Sequence, residues 1–190
     1  MVRAVAGRRT LLLLTTLMVF TAAACARNTP ALQREMGPAL SLSSTAFKEA
    51  DRIPARYACD GEDISPPLSW DEPPPQTRAF ALTVEDPDAS GGTFTHWVLF
   101  NVPAGARQLI EALPAQERLE NGTLQGKNDF GNIGYNGPCP PGGPVHHYVF
   151  TIYALDNFLD LKPGASKKQV TEAVAGHVLA QGQLTGTYQR

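Results

Sequence analysis

The sequence predicts an all-β (β-rich) sandwich with one or two peripheral helices near the C-terminus. Three observations carry this. Most apolar runs in the body alternate or stay short, as strands do. The connections are dense in proline, including Pro66-Pro67, Pro73-Pro74-Pro75 and Pro140-Pro141, which gives stiff, ordered loops. Helix signals are confined to one stretch before the C-terminal tail.

The elements follow in order. "ALSLSSTAF" (39–47) is the first strand of the body. "AFALTVEDPDA" (79–89) opens with Phe80, Leu82 and Val84 in alternation and stops at Asp86-Pro87. "THWVLFNVP" (95–103) is a continuous apolar run, which predicts a strand buried on both faces. "HHYVFTIYALD" (146–156) alternates Tyr148, Phe150 and Ile152 against Val149, Thr151 and Tyr153. "SKKQVTEAVAGHVLA" (166–180) reads as a helix, with Ser166 as N-cap and Val170, Val174 and Val178 on one face. "GQLTGTYQR" (182–190) reads as a short final strand.

The chain has 190 residues, room for one domain with a real core, and a formal net charge of −2. No basic surplus exists to neutralise many phosphates, so nucleic acid is not an expected partner. Arg3, Arg8 and Arg9 precede an apolar or small-residue stretch from Leu11 to Ala24, too short to span a bilayer comfortably. These features predict a signal peptide over 1–24. Ala22-Ala23-Ala24-Cys25 resembles a bacterial lipobox, with Ala22 where Leu is usual. The expectation is therefore lipidation at Cys25, a tether over 25–38 and a folded domain over 39–190, on a membrane of the cell envelope. An ordinary secretory signal, leaving Cys25 a spare thiol, is the alternative. Both export the protein.

Export makes Cys59 and Cys139 a candidate disulfide, each in a Gly/Pro-rich loop; two separate thiols remain the alternative, because bridge geometry is strict.

Polar residues gather at strand ends: Asp86 and Asp88 closing one, His96 opening the next, His146, His147 and Tyr148 opening a third. With the Gly-Pro loop 131–143, four segments could converge at one end of a sandwich. Gly-rich backbone and imidazoles suit an anion, and an aspartate fixes an imidazole tautomer. Plainer readings stand beside this. Asp86-Pro87-Asp88 is a good turn. His96 could be a packed strand residue, and alternation sets His147 opposite His146. No H-x-H or H-x-x-x-H pair favours a metal, and no G-x-S-x-G marks a serine nucleophile. A thiol triad of Cys139, His146 and Asp86 competes with the disulfide. Asn121-Gly122-Thr123 matches a glycosylation sequon, read here as coincidence.

"DISPPLSW", "VEDPDAS", "FTHWVLFNVP", "GYNGPCPPGGPVHHYVFTIYALD" and "GTYQR" together resemble the phosphatidylethanolamine-binding protein family, its bacterial Raf-kinase-inhibitor-like branch. The resemblance runs from about Ala39 to Arg190. It implies a two-sheet antiparallel sandwich with a small C-terminal helical element and, at one end, an anion pocket built from Asp86, His96, Gly137, Pro138, His146 and Tyr148, with Asp88 supporting its wall. Two positions depart from the family pattern: Ser90 replaces a proline, and His147 replaces an arginine near the rim. The implied function is binding of a phosphate-bearing or carboxylate small ligand, a phospholipid head group included, without cofactor, and possible inhibition of a protein partner. A hydrolase using the Asp/His groups is the alternative.

Overall fold

The computed structural model describes Met1 and residues 39–190. The expected signal peptide, Cys25 and the tether lie outside the described residues.

Among the described residues, eight strands form two sheets, and every pairing within them is antiparallel. The larger sheet holds β3 (Ala79–Asp86), β4 (Phe94–Pro103), β6 (Leu124–Gln125), β7 (His146–Leu155) and β8 (Val178–Tyr188), in the order β6-β4-β3-β7-β8. The smaller holds β1 (Leu42–Ser43), β2 (Leu68–Trp70) and β5 (Gln108–Leu109), in the order β1-β2-β5. The sandwich is thus as predicted, with corrections to individual elements. The first strand is only Leu42–Ser43, with Ala39 making an isolated bridge to Gln181. β2, β5 and β6, two or three residues each, carry no periodicity that a sequence reading could detect.

The main core lies between the sheets. Leu42, Leu68, Trp70 and Leu109 of the small sheet meet Phe80, Leu82, Val84, Trp97, Leu99, Tyr148, Phe150, Ile152 and Leu184 of the large one. β4 is buried on both faces because the large sheet has a second cover. Its Val98 and Phe100, with Ala81 and Leu155, pack on Val170 and Val174 of the helix α1 (Lys167–Val174) and on Leu159. The continuous apolar run of this strand therefore follows from double burial.

α1 begins as its sequence predicts. The Ser166 side chain accepts from Gln169 N, and the Gln169 side chain reaches back to Ser166 N, a complete capping box. The helix is shorter than predicted: it ends at Val174, Gly176 adopts φ +89°, and Val178–Ala180 belong to β8. Hydrogen bonding to β7 overrides the helical spacing of Val178, which pairs with Leu155. β8 is consequently an eleven-residue strand rather than a short one.

β8 sits at the edge of its sheet, yet its outer side is covered. Leu40 N donates to Gln181 O, Ala50 N to Thr185 O and Ile53 N to Thr187 O, while Thr187 N donates to Asp51 O. Gly186 is needed there, since a Cβ would lie 2.5 Å from Ile53 Cγ1.

Candidate functional site

β3, β4 and β7 are neighbours, so the C-terminal end of β3 and the N-terminal ends of β4 and β7 fall together. Their terminal polar residues line a cavity of about 230 Å³, with Asp86, Ala89, Ser90, Phe94, His96, Phe130, Cys139, Pro140, Pro141 and His146 in its walls. Roomier grooves border β5 and the 118–122 turn, but no imidazole lines them.

Asp86 and His146 are both buried and paired: Oδ2 of Asp86 lies 2.8 Å from Nδ1 of His146. The other carboxylate oxygen accepts from Asp88 N at 2.9 Å, which closes the Asp-Pro-Asp turn. His96 is held differently. Its Nδ1 lies 2.9 Å from the carbonyl of Asn136, whose own N–H donates back to His96 O at 3.1 Å. Only a protonated Nδ1 can donate to a carbonyl, so the neutral ring carries its lone pair on Nε2. Both imidazoles thus spend Nδ1 on the protein and keep Nε2 as the ring nitrogen left for the cavity.

The surroundings of His96 are apolar. Phe94, Phe130 and Tyr148 stand edge-to-face around its ring, with centroids 5.3, 5.3 and 5.1 Å away. Burial is the main cause that holds its pKa below the ordinary 6.5, against the opposing pull of the Asn136 carbonyl and the Asp86 charge. Burial therefore favours neutral His96.

Tyr148 is fully buried, and its hydroxyl has no partner in hydrogen-bonding geometry, although Asp86 and the Cys139 backbone lie close enough to perturb it. Burial, then the Asp86 charge, pushes its pKa well up. Tyr148 packs behind His96 rather than lining the cavity. Asp88 also stands outside the lining. It accepts from both N and Nδ1 of His147 at 2.8 and 2.7 Å on the exposed rim, and these hydrogen bonds lower its pKa.

Gly137 and Pro138 hold the loop in place and do not line the cavity. The Gly137 N–H is spent on Asp63 Oδ1 at 2.6 Å, so it is not a free donor for a ligand. A Cβ on Gly137 would meet Tyr57 O at 2.0 Å, so the residue type is set by a close backbone approach. Pro138 O accepts from Cys59 N at 3.0 Å. Beside it Cys59 and Cys139 form a disulfide, with Cα atoms 5.4 Å apart, and Cys139 belongs to the cavity wall.

Two further residues that the sequence reading did not single out build the site, although they lie in the stretches "DISPPLSW" and "GYNGPCPPGGPVHHYVFTIYALD". Asp63, at φ +54°, ties Gly137 N and the Asn136 side chain. Asn136 orients His96 through its main chain, a role that no side chain advertises. Its side-chain oxygen is fixed in turn by Asn128 and Asn132. Among the described residues no cluster of three or more His, Cys, Asp or Glu is arranged to hold a metal ion.

The fold and this end of the sandwich define a ligand-binding class of β-domain. The model of the family "Phosphatidylethanolamine-binding protein" matches residues 43–189, and the chain belongs to that family. A UPF0098 protein of Methanothermobacter thermautotrophicus is 53% identical over 151 residues, covering 80% of this chain and 99% of the relative. YbhB of Escherichia coli, also a UPF0098 protein, is 38% identical over 157 residues, covering 78% and 99%. Among solved structures, a phosphatidylethanolamine-binding protein homologue from Chlamydia trachomatis superposes with TM-score 0.73 at 38% identity, covering 80% of this chain and 98% of that one. E. coli YbcL gives 0.74 at 32% identity, covering 80% and 99%.

Proposed function

We propose that the cavity binds a small oxyanion, a phosphate ester or a carboxylate, with a phospholipid head group as one such ligand, and does not transform it. The observation that carries this is the pair of imidazoles, His96 and His146, each fixed through Nδ1 and each keeping Nε2 for one cavity. Such a site is organised before its ligand arrives, which spares affinity the cost of ordering.

The charge balance adds a condition. With both rings neutral, Asp86 would be the only charge in the lining, and an anion would be repelled. A ligand must therefore bring protons with it, on His96 above all, or enter carrying a proton or an ammonium of its own. Binding raises the depressed His96 pKa, so affinity falls as pH rises, by at most about tenfold per pH unit for each proton taken up.

The Asp86–His146 pair is the one observation that favours a hydrolase, since it has the form of a general base with its orienter. That reading lacks an activated nucleophile: Cys139 is in the disulfide, and Ser90 makes no hydrogen bond to either imidazole.

The disulfide is consistent with an oxidising compartment. We propose on this basis an exported domain; lipidation at Cys25, presentation in the cell envelope and block or modulation of a protein partner rest on the lipobox-like sequence and the family resemblance. No helix among the described residues is long and apolar enough to cross a membrane.

The test is a titration of the protein with inorganic phosphate and phosphoethanolamine, followed by the imidazole NMR signals from about pH 8.5 down to about pH 5.5. The His96 and His146 resonances move on addition, and affinity rises as pH falls. Silent histidines across that range would end the proposal. Turnover of a phosphate ester, abolished in Asp86→Asn, would favour the hydrolase.

A further inference from the structure

Phe130 presents a question that the fold does not answer. It is 43% exposed at the mouth of the cavity, and it is held there. On one side Asp129 N donates to Thr95 O at 3.0 Å, while the Asp129 carboxylate accepts from Thr95 N at 2.7 Å. On the other, Gly131 N donates to Asn128 O at 3.0 Å, and Asn132 N donates to Asn128 Oδ1 at 3.0 Å. The turn that carries Phe130 is thus tied to the start of β4 on one flank and closed on Asn128 on the other. A side chain on so constrained a turn is positioned, yet nearly half of this ring faces water.

Its neighbours show what the position serves. The Phe130 ring stands edge-to-face on Phe94, with centroids 4.8 Å apart, and both stand edge-to-face on His96. Three rings therefore form a corner, of which His96 offers the ring nitrogen and the two phenylalanines offer apolar surface. The lining also includes Ser90 and Cys139, together with Ala89, Pro140 and Pro141, the last three without any side-chain donor or acceptor. Ala89, Phe94, Phe130, Pro140 and Pro141 thus give the cavity an apolar share that an oxyanion alone would not contact.

We infer that Phe130, with Phe94, is a specificity wall: the site prefers an oxyanion whose acidic group carries a flat, apolar substituent, such as an aryl phosphate or an aromatic carboxylate. This rests on the oxyanion reading above and refines it. The acidic group sits at the two Nε2 atoms, and the substituent leaves across the adjoining phenyl pair, covering the exposed part of Phe130. An aromatic contact of this kind is worth about a factor of ten in affinity.

The experiment compares inorganic phosphate, methyl phosphate and phenyl phosphate by calorimetry at one pH, in wild type, Phe130→Ala and Phe130→Tyr. In wild type phenyl phosphate binds about tenfold more tightly than methyl phosphate. The ratio collapses towards one in Phe130→Ala and survives in Phe130→Tyr, which keeps the ring. Equal affinity for the two esters in wild type, or an undiminished ratio in Phe130→Ala, overturns the wall while leaving the oxyanion site intact. Failure of all three probes to bind wild type removes the oxyanion site, and the wall with it. Melting temperatures of the three proteins show whether a lost ratio reflects a damaged fold: a Phe130→Tyr protein that melts like wild type yet loses the ratio also overturns the proposal.

Discussion

Removing the disulfide, by Cys59→Ser with Cys139→Ser, tests how much of the site's rigidity is covalent. The bridge closes a loop between residues 80 apart in sequence. For a loop of that size the chain-entropy model gives roughly 4.5 kcal/mol at 25 °C, all of it acting through the unfolded state. The contacts beside the bridge do not involve the sulfurs: the residue-59 N–H donates to Pro138 O, and Asp63 accepts from Gly137 N. The folded geometry should therefore survive, and the loss should be close to the entropic figure. For a domain of this length about 1 kcal/mol corresponds to about 2–4 °C, so the melting temperature should fall by roughly 9–18 °C. Thermal unfolding followed by circular dichroism, under non-reducing conditions, measures it. Because Cys139 is part of the cavity wall, phosphate affinity should weaken as well. A fall of less than about 3 °C would refute the reasoning, since the bridge would then be constraining a loop that other contacts already close in the unfolded chain.

Other perturbations follow from single contacts. Asn101 sits at φ +56° and clamps Leu159 twice, donating to its O at 3.0 Å and accepting from its N at 2.8 Å; Asn101→Ala should cost about 2–3 kcal/mol in urea denaturation. Gly137→Ala forces a Cβ against Tyr57 O and should destabilise by at least about 2 kcal/mol, with a loss of phosphate binding read in the same samples. The depressed pKa of His96 gives a stability slope: just below the ordinary 6.5 the unfolded chain takes up a proton that the native ring refuses, so stability is full above that value and falls as pH drops through it. A melting-temperature profile against pH should show this fall, and His96→Gln should flatten it.

The long strands were legible because their burial leaves a pattern. β3 and β7 alternate, and the middle of β4, Trp97–Phe100, runs apolar because helix and small sheet cover its two faces. The helix start was legible from Ser166 and Gln169, but its end was not, because Val178 continues the helical spacing by coincidence while its backbone pairs with Leu155. Asp86, His96 and His146 could be picked out as polar groups at strand ends, and the strand order brings them together. Gly137 and Pro138 drew attention for their composition, yet their work is to let one loop approach another closely. Asn136 lies in a stretch that carries the family resemblance, yet its role was not legible, since the atom it contributes to His96 is a backbone carbonyl that any residue possesses. Phe130 was equally mute: in the sequence it is one aromatic in a polar loop, and only the clamped turn gives it a place.

The segment lying along β8 has a consequence for assembly. Residues 39–53 occupy hydrogen-bonding positions that another strand would otherwise find open. Trimming the chain to begin at Arg56 would strip that cover and offer a long, straight border to a second copy. Such a fragment should polymerise at concentrations where the intact domain stays dispersed, a difference that light scattering would register.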